Sequence, residues 1–295
     1  MMTTEHFSAR YQDLDAWPSL DILSAFLEGQ LAAVAAVRTA LPGIAAAAEA
    51  AVLRLRRGGR LVYVGAGTSG RIGVQDGAEL PPTFNWPEEK LVYLMAGGQG
   101  ALLSAVENAE DSVEQGIENI RSAEVGPEDV VIGVAASGNT PYTVAALIEA
   151  KARGAQTIGI SNNGEARILA VASFPIVADT GEEVLAGSTR MKAGTAQKVI
   201  LNLFSTLVMI RMGRVYRGLM VDMRATNAKL RRRSVTMVEQ ITGCDDATAS
   251  AALAKSDGVV KVAALVALGL SRPDADALLA RSEGNLRVAL SNLSK

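Results

Sequence analysis

The sequence contains very little histidine and cysteine. Among its 295 residues there is one histidine, His6, and one cysteine, Cys244. Two such residues cannot supply the three or four nitrogen and sulfur ligands of a common zinc site, and they form neither a disulfide framework nor a CxxC redox pair. A Ser-His-Asp triad would have to recruit His6. We therefore expect no metal and no cofactor, and we expect acid–base chemistry to depend on carboxylates, lysine or tyrosine.

An excess of either charge is also missing, and aromatic side chains are few. The 31 acidic and 29 basic side chains give a net charge of −2, which provides no electrostatic footprint for nucleic acid. Aromatic residues make up 4% of the chain, so the core must consist largely of Val, Leu, Ile and Ala. This composition favours closely packed helices and buried strands in a globular protein of roughly two domains.

Long uninterrupted apolar runs are absent. The first twenty residues include Arg10 and Asp13 and contain no apolar segment typical of a signal peptide. Residues 30–55 are rich in alanine but contain charged residues and a proline, and 199–210 is shorter than the ~20 residues that span a bilayer. We interpret both stretches as buried helices, and we predict no membrane contact and a cytoplasmic location.

Short apolar runs dominate the chain after residue 59. They lie at 60–65, 90–96, 129–136, 155–161 and 174–178. Runs of this length that are rich in Val and Ile and bounded by glycine suit strands buried on both faces. Helical patterns separate most of them, at 69–79, 100–123, 141–153 and 165–170. The alternation predicts an α/β fold, with a five-stranded parallel sheet and helices on both faces.

Helices are also predicted on either side of the sheet segment. Two lie at 19–57, with a break at Leu41-Pro42-Gly43, and two longer ones at about 188–212 and 220–241. The tail at 244–295 predicts three short helices, separated at Asp257-Gly258, Ser271-Arg272-Pro273 and Glu283-Gly284. We therefore predict three domains, which are N-terminal helices at 1–58 that pack on the core, the sheet domain at 59–240 and a small helical bundle at 241–295.

Two loops at predicted strand ends have the composition of an anion-binding site. One is Gly65-Ala66-Gly67-Thr68-Ser69-Gly70 and the other is Ala136-Ser137-Gly138-Asn139-Thr140. Ligands of open α/β sheets bind outside the carboxyl ends of the strands. Glycine permits close approach of the backbone, and N–H groups at a helix start can hold a phosphate without Lys or Arg. One such loop could equally be a helix cap, but two in one sheet favour a phosphate site.

The first loop also matches the GxGxxG pattern of dinucleotide sites. That interpretation requires an acidic residue about 20 positions further on, at the end of the second strand. The second strand ends in Met95-Ala96-Gly97-Gly98, and the acidic pair Glu88 and Glu89 precedes it. A small molecule that carries a phosphate therefore fits better than NAD.

Longer motifs resemble those of the N-acetylmuramic acid 6-phosphate etherases. They are GAGTSGR at 65–71, DGAELPPT at 76–83, AVENAEDS at 105–112, AASGNTPY at 135–142, GEEVLAGSTRMKAGTAQK at 181–198 and LMVDMRATNAKL at 219–230. The resemblance covers residues 60–295 and implies a sugar isomerase (SIS) domain, with the glucokinase regulatory protein as a relative. It also implies a ubiquitin-associated-type three-helix bundle at 241–295. The chain departs from residues common in the family at Ala78, Leu80, Gln99 and Asn139, so a related 6-phosphosugar ether stays open as a substrate.

The resemblance implies a lyase reaction. The D-lactyl ether of N-acetylmuramic acid 6-phosphate is eliminated from the ring-opened sugar and water is added, which gives N-acetylglucosamine 6-phosphate and D-lactate in peptidoglycan recycling. Two carboxyl groups of different pKa can perform the proton transfers. By motif position, Glu79 would protonate the departing lactate and Glu110 would remove the C2 proton. From the residues alone, Glu79 is more typical of an exposed charge at a helix end. Glu110 has helical spacing with Glu107 and Glu114, which is more typical of an exposed helix face.

The remaining candidate site residues belong to the two loops and to the start of the long helix. Hydroxyl groups of Ser69, Ser137 and Thr140 are candidate phosphate ligands, with support from the backbone of Gly67 and Thr68. Asn139 is a further candidate for substrate or phosphate binding. Ser188 and Thr189 open the predicted helix at 188–212 and could direct N–H groups at the same anion.

Two alternative functions remain open at this point. One is a phosphosugar-binding regulator without catalysis, and the other is an aldose–ketose isomerase, which commonly needs a histidine for ring opening. The apolar N-terminal helices predict more buried surface than one subunit supplies, so we expect a homodimer. As its ligand we expect a small phosphosugar.

Overall fold

The computed structural model describes residues 6–104 and 106–293, and a single parallel sheet lies at its centre. The strand order is β2-β1-β3-β4-β5, and each neighbouring pair is parallel. The strands are Leu61–Gly65 (β1), Leu91–Met95 (β2), Val130–Ala135 (β3), Gln156–Ser161 (β4) and Phe174–Val177 (β5). All residues of β1, β3 and β4 are buried. Because successive side chains point to opposite faces, both faces are covered, and the predicted fold class is confirmed.

Short helices follow most strands. They are Gly67–Ala78 (α3), Leu80–Phe84 (α4), Val113–Ser122 (α5), Pro141–Ala152 (α6) and Arg167–Val171 (α7). Side chains of β1, β3, α5 and α6 form an apolar core on one face of the sheet, which includes Val64, Ile120, Val131 and Leu147. The loops at the carboxyl ends of the strands are thereby held by packed elements on both sides.

The long helix predicted at 100–123 is wrong. Two 3-10 turns, Gln99–Leu102 and Ala109–Asp111, precede α5 instead. Asn108 takes a left-handed conformation with φ of 58°, which a continuous helix does not allow. The hydroxyl of Ser112 then accepts a hydrogen bond from the N–H of Gln115 at 3.2 Å and starts α5.

The N-terminal helices are Ser19–Ala36 (α1) and Leu41–Arg56 (α2), joined by the 3-10 turn Val37–Ala40. The break therefore precedes the predicted one, because Pro42 lies in the first turn of α2, where its missing N–H removes no helical bond. Apolar side chains of α2, including Ile44 and Val52, are buried.

Within the described residues, two helical stretches are long and apolar enough to cross a bilayer by length and composition. The first is Ser19–Arg56, whose most apolar window is 33% buried, and the second is Lys192–Arg211, for which the value is 56%. The second is the predicted buried helix, and Ile200, Leu201 and Phe204 are at most 1% exposed.

Two further long helices follow the sheet, Lys192–Arg211 (α8) and Ala228–Thr242 (α9). Both begin later than predicted. Residues 220–227 are not helical, because Val221 and Met223 pack into an apolar cluster and the amide oxygen of Asn227 accepts from the N–H of Leu230 at 2.9 Å. This cap sets the start of α9.

The tail contains four helices between residues 246 and 293, where three were predicted. They are Asp246–Lys255 (α10), Val260–Ala267 (α11), Arg272–Arg281 (α12) and Leu286–Leu293 (α13). The breaks at Asp257-Gly258 and Glu283-Gly284 lie at residues with positive φ, and Ser271 caps α12. Of the predicted break at Ser271-Arg272-Pro273, only Ser271 lies outside a helix, because Arg272 and Pro273 begin α12. Three breaks separate four helices.

The described chain divides into two compact units. The sheet unit comprises the described residues up to Ala78 together with Glu89–Ser205, and the second unit comprises Glu79–Glu88 together with the described residues from Thr206 onward. The second unit has its own apolar core, which includes Met237, Val260 and Leu265. The domain limits at 58 and 240 stay predictions.

Candidate functional site

A cavity of about 450 Å³, here called the main cavity, lies in the sheet unit at the carboxyl ends of β1 and β3. In the order 2-1-3-4-5 this is the point where the chain reverses its direction across the sheet, which is the usual ligand position in such folds. Its lining residues come from four chain segments and are Ala66, Gly67, Thr68, Ser69, Glu110, Asp111, Ala136, Ser137, Asn139, Thr140, Pro141, Gly187 and Thr189.

The first wall is the turn between β1 and α3. A Cβ atom on Gly65 would lie 2.9 Å from the backbone of Gly70, and one on Gly70 would lie 2.9 Å from the carbonyl oxygen of Gly65. Glycine at both positions therefore lets the start of α3 pack directly on the end of β1. As a result, α3 begins at the cavity wall, and its first turn places the N–H groups of Gly67, Thr68 and Ser69 there.

The second wall is the turn between β3 and α6. Gly138 has φ of 68°, and a Cβ atom there would lie 2.3 Å from Cβ of Ala166, so only glycine fits. The N–H of Asn139 donates to the hydroxyl of Ser137 at 3.2 Å, and the amide oxygen of Asn139 accepts from the N–H of Arg167 at 3.0 Å. These bonds hold the loop in one shape before α6 begins at Pro141.

The third wall precedes α8, and here the sequence prediction is partly wrong. The helix begins at Lys192, and the N–H groups of Ser188 and Thr189 donate to carbonyl oxygens of Leu185 and Gly187. They therefore do not point to an anion as the first turn of a helix would. Thr189 lines the main cavity and Ser188 does not, so the part of both residues in binding stays a prediction.

The start of α8 is set by a carboxylate that sequence analysis missed. Glu183 is fully buried, and its two oxygens accept hydrogen bonds from the N–H groups of Lys192 and Ala193, both at 2.9 Å. The partial positive charge of the helix start is thereby neutralised within the protein. The local sequence around the start of α8 does not predict this cap, because the carboxylate lies nine residues before the helix.

Glu110 is an exposed side chain on the 3-10 turn Ala109–Asp111, and it lines the main cavity together with its neighbour Asp111. The first residue of its motif, Ala105, lies outside the described residues. The exposed helix face that the spacing with Glu107 and Glu114 suggested does not exist, because α5 begins only at Val113. Asp111 was not predicted, although it is adjacent to a predicted residue.

Glu79 belongs to the second unit and is not among the lining residues of the main cavity. It is exposed, directly follows α3 along the chain and precedes α4. Its carbonyl oxygen accepts from the N–H of Thr83 at 3.2 Å. The structure thus brings together eight predicted site residues and leaves Ser188 and Glu79 outside this lining. The eight are Gly67, Thr68, Ser69, Glu110, Ser137, Asn139, Thr140 and Thr189.

The electrostatics of the main cavity depend on helix starts rather than on cations. Its lining contains hydroxyl groups and backbone N–H groups but no Lys or Arg. Two twelve-residue helices, α3 and α6, begin at its walls, and helix N-termini carry partial positive charge. The arrangement can hold a phosphate, while Glu110 supplies a carboxylate beside it.

A buried carboxylate, which sequence analysis also missed, anchors α3. Asp76 is 4% exposed and accepts hydrogen bonds from the phenol of Tyr63 at 2.9 Å, the amide of Asn202 at 2.7 Å and the hydroxyl of Ser205 at 3.1 Å. Burial raises the pKa of Asp76, against these three hydrogen bonds. The network ties α3 to β1 and α8 and so fixes the helix whose first turn lines the main cavity.

The sheet unit is similar to known SIS domains. The profile of the glucokinase regulatory protein N-terminal SIS domain matches residues 43–151, and that of the SIS domain matches residues 107–207. A phosphoheptose isomerase from Francisella tularensis is similar in structure, with a TM-score of 0.50, 19% identity and coverage of 66% of this chain and 100% of that chain. The fold and the cavity at its switch point thus define a SIS-domain protein.

Relatives of nearly equal length give the family. N-acetylmuramic acid 6-phosphate etherases from Deinococcus radiodurans and Streptomyces avermitilis are each 48% identical to this chain, of which they match 97% and 98%, over 94% and 93% of their own lengths. A Cutibacterium acnes protein of that name is 45% identical over 98% of this chain and 96% of its own length. The chain belongs to the N-acetylmuramic acid 6-phosphate etherase family.

Proposed function

We propose that the protein is a carbon–oxygen lyase that cleaves the D-lactyl ether of N-acetylmuramic acid 6-phosphate. The observation that supports this most is the position of the Glu110 carboxylate in a cavity with two helix starts and several hydroxyl groups. The names of relatives that match nearly the whole chain support the same reaction. The products are N-acetylglucosamine 6-phosphate and D-lactate.

The proposed reaction proceeds by elimination and then hydration. In the ring-opened sugar the aldehyde acidifies the C2 proton, which a carboxylate base removes. The electron pair forms the C2–C3 double bond, the C3–O bond breaks, and the lactate oxygen receives a proton from a carboxylic acid. Water then adds at C3 and a proton returns to C2. The net reaction consumes one water molecule for each ether bond cleaved and involves no oxidation or reduction.

We assign the base to Glu110 and the acid to Glu79. Glu110 lines the main cavity, which supports contact with a bound sugar. Glu79 is assigned by its motif position in the resemblance, and its exposed side chain is accessible to substrate. The phosphate is assigned to Ser69, Ser137 and Thr140, with the N–H groups of α3 and α6 as further donors.

The assay is the release of D-lactate from N-acetylmuramic acid 6-phosphate by the purified protein. We expect stoichiometric D-lactate and N-acetylglucosamine 6-phosphate. A regulator without catalysis would bind both sugars and release nothing, and an isomerase would yield a ketose, which NMR distinguishes. Either result would contradict the proposed reaction.

We further propose that the protein is a homodimer that pairs through α1. Five apolar side chains of α1 are 48–74% exposed, at spacings that place them along one helix face: Leu20, Leu23, Leu27, Leu31 and Val34. An exposed apolar stripe of this length is typical of an interface.

Sedimentation at micromolar concentration should show a dimer, and Leu27→Glu should give monomers. Leu268→Glu, which changes an exposed leucine of the second unit, is the control, and a monomeric wild-type protein would refute the proposal.

We also infer a cytoplasmic location, in amino sugar metabolism and peptidoglycan recycling. A sugar phosphate carries charge that disfavours unaided passage across a bilayer, so the enzyme must share a compartment with its substrate. Cell fractionation tests this location, and recovery in the membrane fraction would contradict it.

A further inference from the structure

A second, smaller cavity of about 240 Å³, here called the side cavity, adjoins the main cavity. The two share Ala66, Gly67 and Glu110. The other lining residues of the side cavity are Arg71, Met95, Ala96, Ala101, Val106, Glu107, Asn108 and Ala109. Because Glu110 borders both, a ligand held in the main cavity can extend past this carboxylate into the side cavity.

Arg71 is the cation of the side cavity. It lies in α3, one turn after the residues that line the main cavity, and its side chain is half-buried. Nε donates to the carbonyl oxygens of Ala101 and Leu102 at 3.1 Å, and Nη2 donates to that of Ala101 at 2.8 Å. Within the described parts of the chain, Nη1 has no acceptor and no carboxylate forms an ion pair with the guanidinium.

A half-buried guanidinium without a counter-ion favours an anionic ligand, since burial makes an uncompensated charge costly. The planar guanidinium matches the geometry of a carboxylate better than an ammonium does. Met95, Ala96, Ala101 and Val106 give the cavity one apolar wall, whereas Glu107, Asn108 and Glu110 form a polar side. The lining therefore fits a small carboxylate that carries a short alkyl group.

We propose that the side cavity binds the lactyl arm of the substrate and that Arg71 holds its carboxylate. This inference rests on the proposed function, which supplies a ligand with a phosphate at one end and a 2-oxypropanoate at the other. The phosphate lies in the main cavity, the lactyl methyl group lies against the apolar wall, and the reacting C2–C3 segment lies beside Glu110. Arg71 is thus a specificity-determining residue for ethers that carry a carboxylate.

The test compares N-acetylmuramic acid 6-phosphate with the same compound carrying a primary amide in place of the lactyl carboxylate. The wild-type protein should prefer the carboxylate by about 10- to 100-fold in kcat/KM, the scale of one hydrogen-bonded charge. Arg71→Gln should lose that preference by losing activity on the carboxylate only, and Arg71→Lys should retain part of it. All variants should bind N-acetylglucosamine 6-phosphate, which lacks the lactyl arm, with unchanged affinity.

Arg54→Gln is the matched control, because Arg54 is also half-buried in the sheet unit and also donates to a backbone carbonyl, that of Gly154. An unchanged preference in Arg71→Gln would overturn the inference, as would equal losses for both ethers and for N-acetylglucosamine 6-phosphate, which indicate that Arg71 only supports residues 101–102. If the wild-type protein turns over neither ether, the proposed reaction fails, and calorimetric binding of the two ethers decides the inference separately. An equal affinity for both would then overturn it.

Discussion

Glu110 lies beside the main cavity because a short 3-10 turn, rather than an α-helix, presents it there. The left-handed Asn108 and the cap at Ser112 remove the helix and place Glu110 on a short turn beside the main cavity. Backbone conformations of this kind depend on local competition between turns and helix, which a spacing pattern does not resolve.

Replacement of Glu110 by Gln should lower kcat for D-lactate release by about 10²-fold or more, because the amide cannot accept the C2 proton. Binding of N-acetylglucosamine 6-phosphate should persist, which calorimetry checks. Glu114→Gln, a change at an exposed position of α5, is the control and should keep full activity. A Glu110→Gln protein with wild-type kcat would remove this residue from the mechanism.

Glu79→Gln should cause a loss of similar size, about 10²-fold, because the departing lactate oxygen would lack its proton donor. Glu88→Gln is the control, since Glu88 is exposed and lies in the same segment of the second unit. The assay is again D-lactate release, and C2 proton exchange with solvent is followed by NMR. Exchange that continues while cleavage stops would support the acid role, and loss of both would assign Glu79 to the base step instead.

At the scale of elements, the strands were predicted within a residue or two and several helix limits were not. A buried parallel strand can be predicted from the run of apolar residues that forms it, as in Val130–Ala135. The start of α8 is set instead by Glu183, nine residues upstream. Long-range caps of this kind need the folded chain and cannot be derived from a local window.

Replacement of Glu183 by Gln should destabilise the sheet unit by about 2 kcal/mol. The amide accepts one of the two N–H bonds of α8 and points a donor at the other, which leaves a buried N–H unpaired. Urea unfolding followed by circular dichroism measures the change. Glu182→Gln, an adjacent and partly exposed position, should lie within about 0.5 kcal/mol of the wild type; equal effects of the two changes would contradict the role of Glu183.

For the whole molecule, the layers of the fold follow from the order of elements along the chain. Repeated strand–helix order was enough to predict a parallel sheet. The assignment of Glu79–Glu88 to the unit that contains the C-terminal helices depends on contacts that are remote in sequence, such as the hydrogen bond from Arg214 to the carbonyl oxygen of Phe84 at 2.8 Å. Composition and periodicity do not predict contacts between residues that are so far apart in the sequence.

The pH dependence of stability should reflect the pair of Arg60 and Asp129, which joins the starts of β1 and β3. Burial acts to raise the pKa of Asp129, but hydrogen bonds from Arg60 and from the N–H of Gly126 lower it below its ordinary value of 3.8. The pKa of Asp129 is therefore lower in the folded protein than in the unfolded protein. The pair contributes its full stability at pH values above the unfolded-state pKa, and this stability is lost as pH falls through the folded-state pKa.

Asp129→Asn should therefore cost about 2–3 kcal/mol at pH 7, and the difference from the wild type should shrink as pH falls below about 4. Urea unfolding at a series of pH values measures it. Glu128→Gln is the control, because Glu128 forms an exposed pair with Arg57 and such pairs contribute at most about 1 kcal/mol. A penalty for Asp129→Asn that does not change with pH would refute the assignment.

The most direct test of the central claim is the reaction run in water enriched in oxygen-18, with both products analysed by mass spectrometry. Elimination followed by hydration breaks the C3–O bond of the sugar, so the account predicts the label in the new C3 hydroxyl of N-acetylglucosamine 6-phosphate and unlabelled D-lactate. The Glu110→Gln protein, run in parallel, should give neither product at a comparable rate. Label in the lactate, or no D-lactate from the wild-type protein, would contradict it.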